Sequence, residues 1–298
     1  MKIDLHIHTK YSDGLLSPKQ VIDIAAKNDI KVISFADHDT VEAYSEDVFE
    51  YAKKNNVQII PAVEISTRVK NVGIHILGYN FSINNEELKK ELSLIRNSRQ
   101  DYLNKVGKVL NELGFTINLS KLNRIEAVTK AHIANDIIEN PKNKNILLAY
   151  FKHIPNMGEF IEEIMNEGCI AYVEKKSITP KQASEIIRKA GGKVVLAHPI
   201  AYEHEDKLNE IDILKIINEI NADGIESYYI YIDKNNNKHD EIKRWNMFAK
   251  KHNLNVTIGS DFHRDDNIRP TIGFINQNIE LTDREATKII NWILKKII

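Results

Sequence analysis

The sequence predicts an α/β protein built on a parallel sheet or a barrel and interrupted by a mainly helical insertion. Three observations carry that expectation. Short β-branched runs alternate with helical stretches over 1–83 and again over 171–298. Between 84 and 170 the alternation stops and strands are nearly absent. Histidines and carboxylates gather at the C-terminal ends of the predicted strands, where parallel α/β folds place their functional groups.

The elements follow in order. Residues 2–8 read as a strand. Ser17-Pro18-Lys19-Gln20 starts a helix, with Ser as N-cap, Pro in the first turn and Gln three residues after the cap. That helix runs to about Asn28. Residues 32–36 form a second strand, and Thr40 is placed to cap a helix ending near Asn55. Residues 57–65 and 74–81 are two further strands. Residues 86–114 are one long helical stretch with Gly114 as its stop, and 131–139, 142–153 and 157–166 are also helical. Thr179-Pro180-Lys181-Gln182 repeats the capped start, and Gly191-Gly192 ends that helix. A strand at 194–198, a helix at 208–220, a strand at 224–228, a helix at 238–251 and a strand at 256–259 follow. Thr282-Asp283-Arg284-Glu285 is a capping box for the last helix.

Composition narrows the function classes. The 298 residues carry 41 Lys+Arg against 42 Asp+Glu, a net charge of −1. That balance argues against a protein that grips long nucleic acid by bulk electrostatics. The single cysteine, Cys169, excludes an internal disulfide framework and a cysteine-based zinc site. No apolar run approaches the roughly 18–20 residues of a membrane span. The N-terminus places histidines and aspartates where a signal peptide needs an apolar stretch, so the expected location is the cytoplasm.

The chemistry lies in a recurrent pattern. The first strand ends in His6-Ile7-His8, with Asp13 in the next loop. The second ends in Asp37-His38-Asp39, the third in Glu64, and the fourth carries His75. The strand at 194–198 runs into His198-Pro199, and that at 256–259 into Ser260-Asp261-Phe262-His263. Residues i and i+2 of a strand face one side, so His6 and His8 reach one ion together, as do Asp261 and His263. Imidazole and carboxylate without thiolate suit zinc, manganese or iron rather than calcium. His6, His8, Asp13, His38, Glu64, His75, His198, Asp261 and His263 are too many ligands for one ion. At about three or four protein ligands per catalytic metal they suit two or three divalent ions, with Glu64 able to bridge. His153, His204, His239 and His252 fall in predicted helices or polar loops and read as surface residues.

Several of these motifs, taken together, resemble the polymerase-and-histidinol-phosphatase (PHP) family of metal-dependent phosphoesterases. They are Asp4-Leu5-His6-Ile7-His8 with Tyr11-Ser12-Asp13-Gly14, Ala36-Asp37-His38-Asp39-Thr40, Pro61-Ala62-Val63-Glu64-Ile65-Ser66, His75-Ile76-Leu77-Gly78-Tyr79, Leu196-Ala197-His198-Pro199 and Gly259-Ser260-Asp261-Phe262-His263. Lys130-Ala131-His132-Ile133-Ala134 and Gly168-Cys169-Ile170-Ala171-Tyr172-Val173 resemble the branch of 3′,5′-nucleoside bisphosphate phosphatases, some of which also trim RNA from the 5′ end. That branch commonly carries Arg-Pro-His-Ile-Ala. Lys130 keeps the charge of the Arg but not its planar fork, and Ala131 replaces the Pro.

The resemblance implies a distorted (β/α)7 TIM-like barrel, formed by 1–83 and 171–298, with 84–170 as a helical insertion over the active site. It implies one metal at His6, His8, Glu64 and Asp261, a second at Asp13, His38 and His198, and a third at Glu64, His75 and His263. The attacking group is expected to be a metal-bound hydroxide with Asp13, His38 and Glu64 around it. Asp37 or Asp39 is expected to support the His38 imidazole, with capping at Thr40 as the other role for Asp39. Lys130 and His132 are the expected phosphate contacts. Arg96 and Arg99, at i and i+3, share a helical face that either meets substrate or is solvated, and Arg68 is a further candidate. Tyr102, Tyr228 and Tyr229 are candidate stacking groups, although such aromatics more often serve the core.

The expected activity is removal of phosphate from a small nucleotide, a 3′,5′-bisphosphate, with two or three manganese, iron or zinc ions as cofactor. A 5′-3′ exoribonuclease on short RNA is the alternative, since the neutral charge favours short substrates. The insertion motif argues against a histidinol-phosphate phosphatase. The complete ligand set argues against a non-catalytic metal-binding module.

Overall fold

The computed structural model describes residues 1–70, 72–123, 125, 128–174, 176–233, 235–277, 279 and 281–295. The chain runs β1 (Lys2–Ile7), α1 (Pro18–Lys27), β2 (Ile30–Phe35), α2 (Glu46–Lys54), β3 (Gln58–Ile59), β4 (Ala62–Val69) and β5 (Val72–Tyr79). The helices α3 (Glu86–Glu112), α4 (Leu119–Leu122), α5 (Lys130–Glu139), α6 (Lys144–Phe151) and α7 (Met157–Phe160) follow. Then come α8 (Pro180–Lys189), β6 (Lys193–Leu196), α9 (Pro199–Asp206), α10 (Glu210–Glu219), β7 (Gly224–Tyr228), β8 (Ile230–Ile232) and β9 (Lys238–Asp240). The chain closes with α11 (Ile242–Lys251), β10 (Asn255–Ile258) and α12 (Asp283–Leu294).

Capping chemistry sets several helix starts. Ser17, Thr179 and Thr282 each cap a helix and complete a capping box with Gln20, Gln182 and Glu285. Gly114 and Gly191 stop α3 and α8 at φ +92° and +83°. Thr40 does not start a helix. The N-cap of α2 is Ser45, whose side chain accepts from the Val48 N–H. The stretch at 238–251 opens as the hairpin strand β9 before it becomes α11.

Three sheets form among the described residues. One is parallel, in the order β1-β2-β3; one has the order β10-β7-β6-β5-β4; one is the β8-β9 hairpin. The all-parallel alternation of βα units expected from the sequence is interrupted, because β5 runs antiparallel to both β4 and β6. The cause is local. Only residues 70 and 71 separate β4 from β5, too short for a helical crossover, so the two strands pair as a hairpin. Pro61, which lacks a ladder donor, lies between β3 and β4, and β4 continues past Glu64 to Val69. The sheets meet at their strand ends. The His8 N–H donates to the Phe262 carbonyl at 2.9 Å, the Asp261 N–H to the His6 carbonyl at 2.9 Å, and the Asp39 N–H to the Glu64 carbonyl at 2.9 Å.

The chain divides into two compact units, Met1–Ser93 with Ile178–Ile298, and Leu94–Ser177, where the sequence places its insertion at 84–170. The first has a core of Ile3, Leu5, Leu77, Tyr79, Val195 and Ile258, strand residues buried as expected for sheets covered by helices. The second has its own core, including Leu103, Val106, Leu110, Phe115, Ile133 and Phe160. No helix of the described residues is long and apolar enough to cross a membrane.

Candidate metal centre

The nine expected ligands converge within the first unit, and two glycines make the approach possible. A Cβ on Gly14 would lie 2.3 Å from the His8 carbonyl oxygen, and one on Gly259 would lie 2.1 Å from the His6 Cβ. Only glycine lets these loops reach β1. His6 and His8 are wholly buried, with Nε2 atoms 3.1 Å apart. Against both lies Glu64, 1 % exposed. Its Oε2 lies 3.3 Å from His6 Nε2, 3.3 Å from His8 Nε2 and 3.1 Å from His38 Nδ1. Its Oε1 lies 3.0 Å from His75 Nδ1 and 3.1 Å from His198 Nε2. Asp261 Oδ1 is 3.1 Å from His8 Nε2 and 3.5 Å from His6 Nε2. Asp13 Oδ1 is 3.2 Å from His263 Nε2 and 3.3 Å from His8 Nδ1, and its Oδ2 is 3.8 Å from His38 Nε2.

Three groups of closely spaced ligand atoms result: His6, His8, Glu64 and Asp261; His8, Asp13, His38 and His263; and His38, Glu64 and His75. The first is the set expected from the sequence. In the second, His263 stands where His198 was expected, while His198 belongs to none of the three and lies with its Nε2 3.1 Å from Glu64 Oε1. Topology gives the reason. His198 follows β6, which pairs with β5, so it arrives beside His75 and Glu64. His263 follows β10, whose outgoing chain bridges β1 at Ile7 and Phe262, so it stacks on His8, ring centroids 4.0 Å apart.

The electrostatics are those of a site built for cations. Burial opposes charge here, yet the carboxylates favour the charged forms of His6 and His8, and the histidines favour the charged carboxylates. Against burial, the carboxylates of Glu226, Glu64 and Asp261 hold the His6 pKa well above its ordinary value. Against the same penalty, hydrogen bonds to Asp261 and Glu64 raise that of His8 to about 10. The surrounding histidines hold Glu64, Asp13 and Asp261 well below the carboxylate range despite burial. Burial drives His38 the other way, well below its usual value. Divalent ions bind neutral imidazole, so loading a site of this kind releases protons. Asp13 Oδ1, His75 Nδ1 and His198 Nδ1 are among the buried polar atoms without a hydrogen bond in the described residues. A donor set of imidazoles and carboxylates converging at these distances fits divalent transition-metal ions.

The surroundings hold the ligands in place. The Thr9 N–H and the Thr9 and Ser12 hydroxyls donate to Asp37 at 2.7, 2.8 and 2.6 Å, so this carboxylate anchors the loop after β1. Asp39 accepts from the Ser66 N–H at 2.8 Å in the left-handed region, φ +53°, and caps no helix at Thr40. His38 Nδ1 lies 3.4 Å from the Ser66 hydroxyl, beyond its 3.1 Å contact with Glu64 Oε2. His198 and Asp261 also have positive φ, +22° and +52°, backbone strain held at the site. Asp4 accepts from the N–H groups of Ser260 and Gly273 and from the Ser260 hydroxyl, and burial raises its pKa to about 6. Glu226 and Tyr229, on and after β7, touch the ligands and were not anticipated as partners of this kind. Glu226 lies 3.0 Å from His6 Nδ1, and the Tyr229 hydroxyl donates to Asp261 Oδ2 at 3.2 Å. The legible signal was an acid inside a short, otherwise uncharged strand, Gly224-Ile225-Glu226-Ser227-Tyr228.

The candidate substrate contacts Arg96, Arg99, Lys130 and His132 lie in the second unit. Arg99 is buried and Arg96 half-buried on α3. Lys130 opens α5 and its Nζ donates to Asn166 Oδ1 at 2.9 Å. His132 completes the capping box of α5, its Nδ1 accepting from the Thr129 N–H at 3.1 Å. Arg68 lies on β4, its Nε donating to the Lys70 carbonyl at 3.0 Å. Tyr102 belongs to the core of the second unit, and the Tyr228 hydroxyl faces Glu285 at 3.5 Å.

Comparison with known proteins agrees with this geometry. The PHP domain matches residues 4–190. A 5′-3′ exoribonuclease of Haemophilus influenzae is 29 % identical over 267 residues, covering 88 % of this chain and 90 % of that protein. A 3′,5′-nucleoside bisphosphate phosphatase of Chromobacterium violaceum is 26 % identical over 265 residues, covering 88 % and 87 %. A solved structure from Bifidobacterium adolescentis, designated a metal-dependent phosphoesterase, superposes with a TM-score of 0.68 at 20 % identity, covering 97 % of this chain and 95 % of that one. The chain therefore belongs to the PHP domain family and is a hydrolase of the metal-dependent phosphoesterase type.

Proposed function

We propose that the chain hydrolyses a 3′,5′-nucleoside bisphosphate to the nucleoside 5′-monophosphate and phosphate. The observation that carries the reading is the buried Glu64 carboxylate, with His6, His8 and His38 at Oε2 and His75 and His198 at Oε1. A single buried acid flanked by five imidazoles is arranged to bridge ions. We assign His6, His8, Glu64 and Asp261 to one ion, Asp13, His38 and His263 to a second, and Glu64, His75 and His198 to a third, with manganese, iron and zinc all suited to these donors. When bound, such ions lower the pKa of water and neutralise charge on the phosphoryl group. We read the two larger sheets, bridged at Ile7–Phe262 and His38–Glu64, as a distorted barrel whose strand ends surround this centre.

The chain's own groups supply the rest. Asp13, His75 and His263 have side chains 23–31 % exposed, whereas His6 and His8 are closed off, so the reacting phosphoryl group approaches from the Asp13 side. Asp13, His38 and Glu64 surround the attacking water. Its oxygen forms the new bond to phosphorus, the ester P–O bond breaks, and the nucleoside hydroxyl leaves with a proton. Lys130 and His132 take the second phosphate. They stand at the N-terminus of a ten-residue helix, where the dipole adds to the Lys charge. His132 Nδ1 serves the cap, so its phosphate contact falls to Nε2. Arg96 and Arg99 add positive charge on α3.

A second reading, a 5′-3′ exoribonuclease on short RNA, draws on the likeness to the Haemophilus influenzae enzyme. Phosphate release from adenosine 3′,5′-bisphosphate, AMP, 5′-phosphorylated short RNA and histidinol phosphate, measured side by side, separates the two. Preference for the bisphosphate is expected. Mononucleotide release from the RNA, with the bisphosphate left intact, would contradict the proposal and favour the nuclease.

A further inference from the structure

Six strands or their outgoing loops bring ligands to the centre, and β7 brings none. Yet β7 lies between β6 and β10, directly between the strands that deliver His198 and Asp261. Its Glu226 is 1 % exposed. Glu226 Oε1 and Oε2 lie 3.0 and 3.2 Å from His6 Nδ1, and Oε2 accepts the His198 backbone N–H at 3.0 Å. The fit is close, since a Cβ at Gly259 would come within 2.2 Å of Glu226 Oε1.

We propose that Glu226 is a positioning residue that fixes His6 with its proton on Nδ1 and ties His198 to the same anchor. A carboxylate only accepts, so the neutral His6 ring must place its one N–H on Nδ1. Its Nε2 lone pair then faces Glu64 and Asp261, at 3.3 and 3.5 Å. The buried negative charge behind the ring also raises its basicity as a ligand. The same carboxylate holds the backbone of His198, which stands at φ +22°. One side chain thus braces residues assigned to two different ions. Both donors require an acceptor. A glutamine here would turn its NH₂ toward one of them.

This inference rests on the metal reading above, and the test separates the two. Wild type, E226Q and E226D are stripped with chelator and titrated with Mn²⁺, following affinity, bound-ion content and the Tm of the stripped proteins. Long-range ¹H–¹⁵N NMR of the Zn²⁺-loaded wild type shows which His6 nitrogen keeps its proton. Expected are the Nδ1–H tautomer in wild type, an E226Q affinity lower by about 10- to 100-fold, and partial recovery in E226D, which keeps two acceptors at shorter reach. Wild-type Mn²⁺ affinity in E226Q with only a lowered Tm would overturn the positioning role and leave the metal reading intact. Failure of the wild type to bind Mn²⁺ would overturn both. Should E226Q fail to fold, an Nε2–H tautomer in the wild type, or E226D binding no better than a centre lacking the acid, would still overturn the role.

Discussion

His6 and Lys130, proposed as an ion ligand and a phosphate contact, are held by opposite means. His6 has no exposure, and its partners come from β4, β7 and the loop after β10, as far as 255 residues away along the chain. Lys130 opens a helix within a separately cored unit, and its contact to Asn166 spans 36 residues inside that unit. A ligand centre has to hold donor atoms to fractions of an ångström, which long-range buried contacts provide. A phosphate contact on a helix end tolerates looser geometry, because charge and dipole act over distance. Changes in the first region should therefore be severe, and changes in the second graded.

The largest expected effect is Asp261→Ala or His38→Ala, which removes turnover by on the order of 10³-fold or more. Circular dichroism should show an unchanged fold, and residual activity near wild type would erase the contrast between the regions. Stripping the ions with chelator should abolish activity and lower Tm, and Mn²⁺ should restore both. At a hundred times its Kd, each ion adds about 2.7 kcal/mol of stability. A Tm insensitive to chelator would mean the centre is not coupled to the fold. Gly259→Ala should cost about 1–3 kcal/mol, because its Cβ meets His6 and Glu226. Thermal unfolding of the stripped protein measures that cost, and an unchanged Tm would show that the strand ends have room to move. Lys130→Ala is the mildest. It should raise KM for the bisphosphate by about tenfold while leaving the monophosphate KM nearly unchanged, the loss of one charge-assisted contact. Equal effects on both substrates would remove its assigned role.

The same contrast explains what could be read from the sequence. The convergence of the candidate ligands was legible because metal chemistry admits few residue types and strand periodicity fixes where they point, as in His6-Ile7-His8. Their grouping was not. Whether His198 or His263 stands beside Glu64 depends on the strand order β6-β5-β4, which no local pattern encodes. The capped starts at Ser17, Thr179 and Thr282 were legible for the same local reason. The β4–β5 hairpin overrode the expected parallel alternation, because a two-residue separation leaves no room for a crossover. Glu226 was visible as an acid inside a buried strand, but its role needed the folded partners.

The measurement that tests the account most directly is anomalous diffraction from crystals of the intact protein grown with manganese. The account predicts two or three peaks: one among His6, His8, Glu64 and Asp261, one among Asp13, His38 and His263, and, where a third is present, one at Glu64 with His75 and His198. Density confined to surface carboxylates, with none among these nine residues, would contradict it.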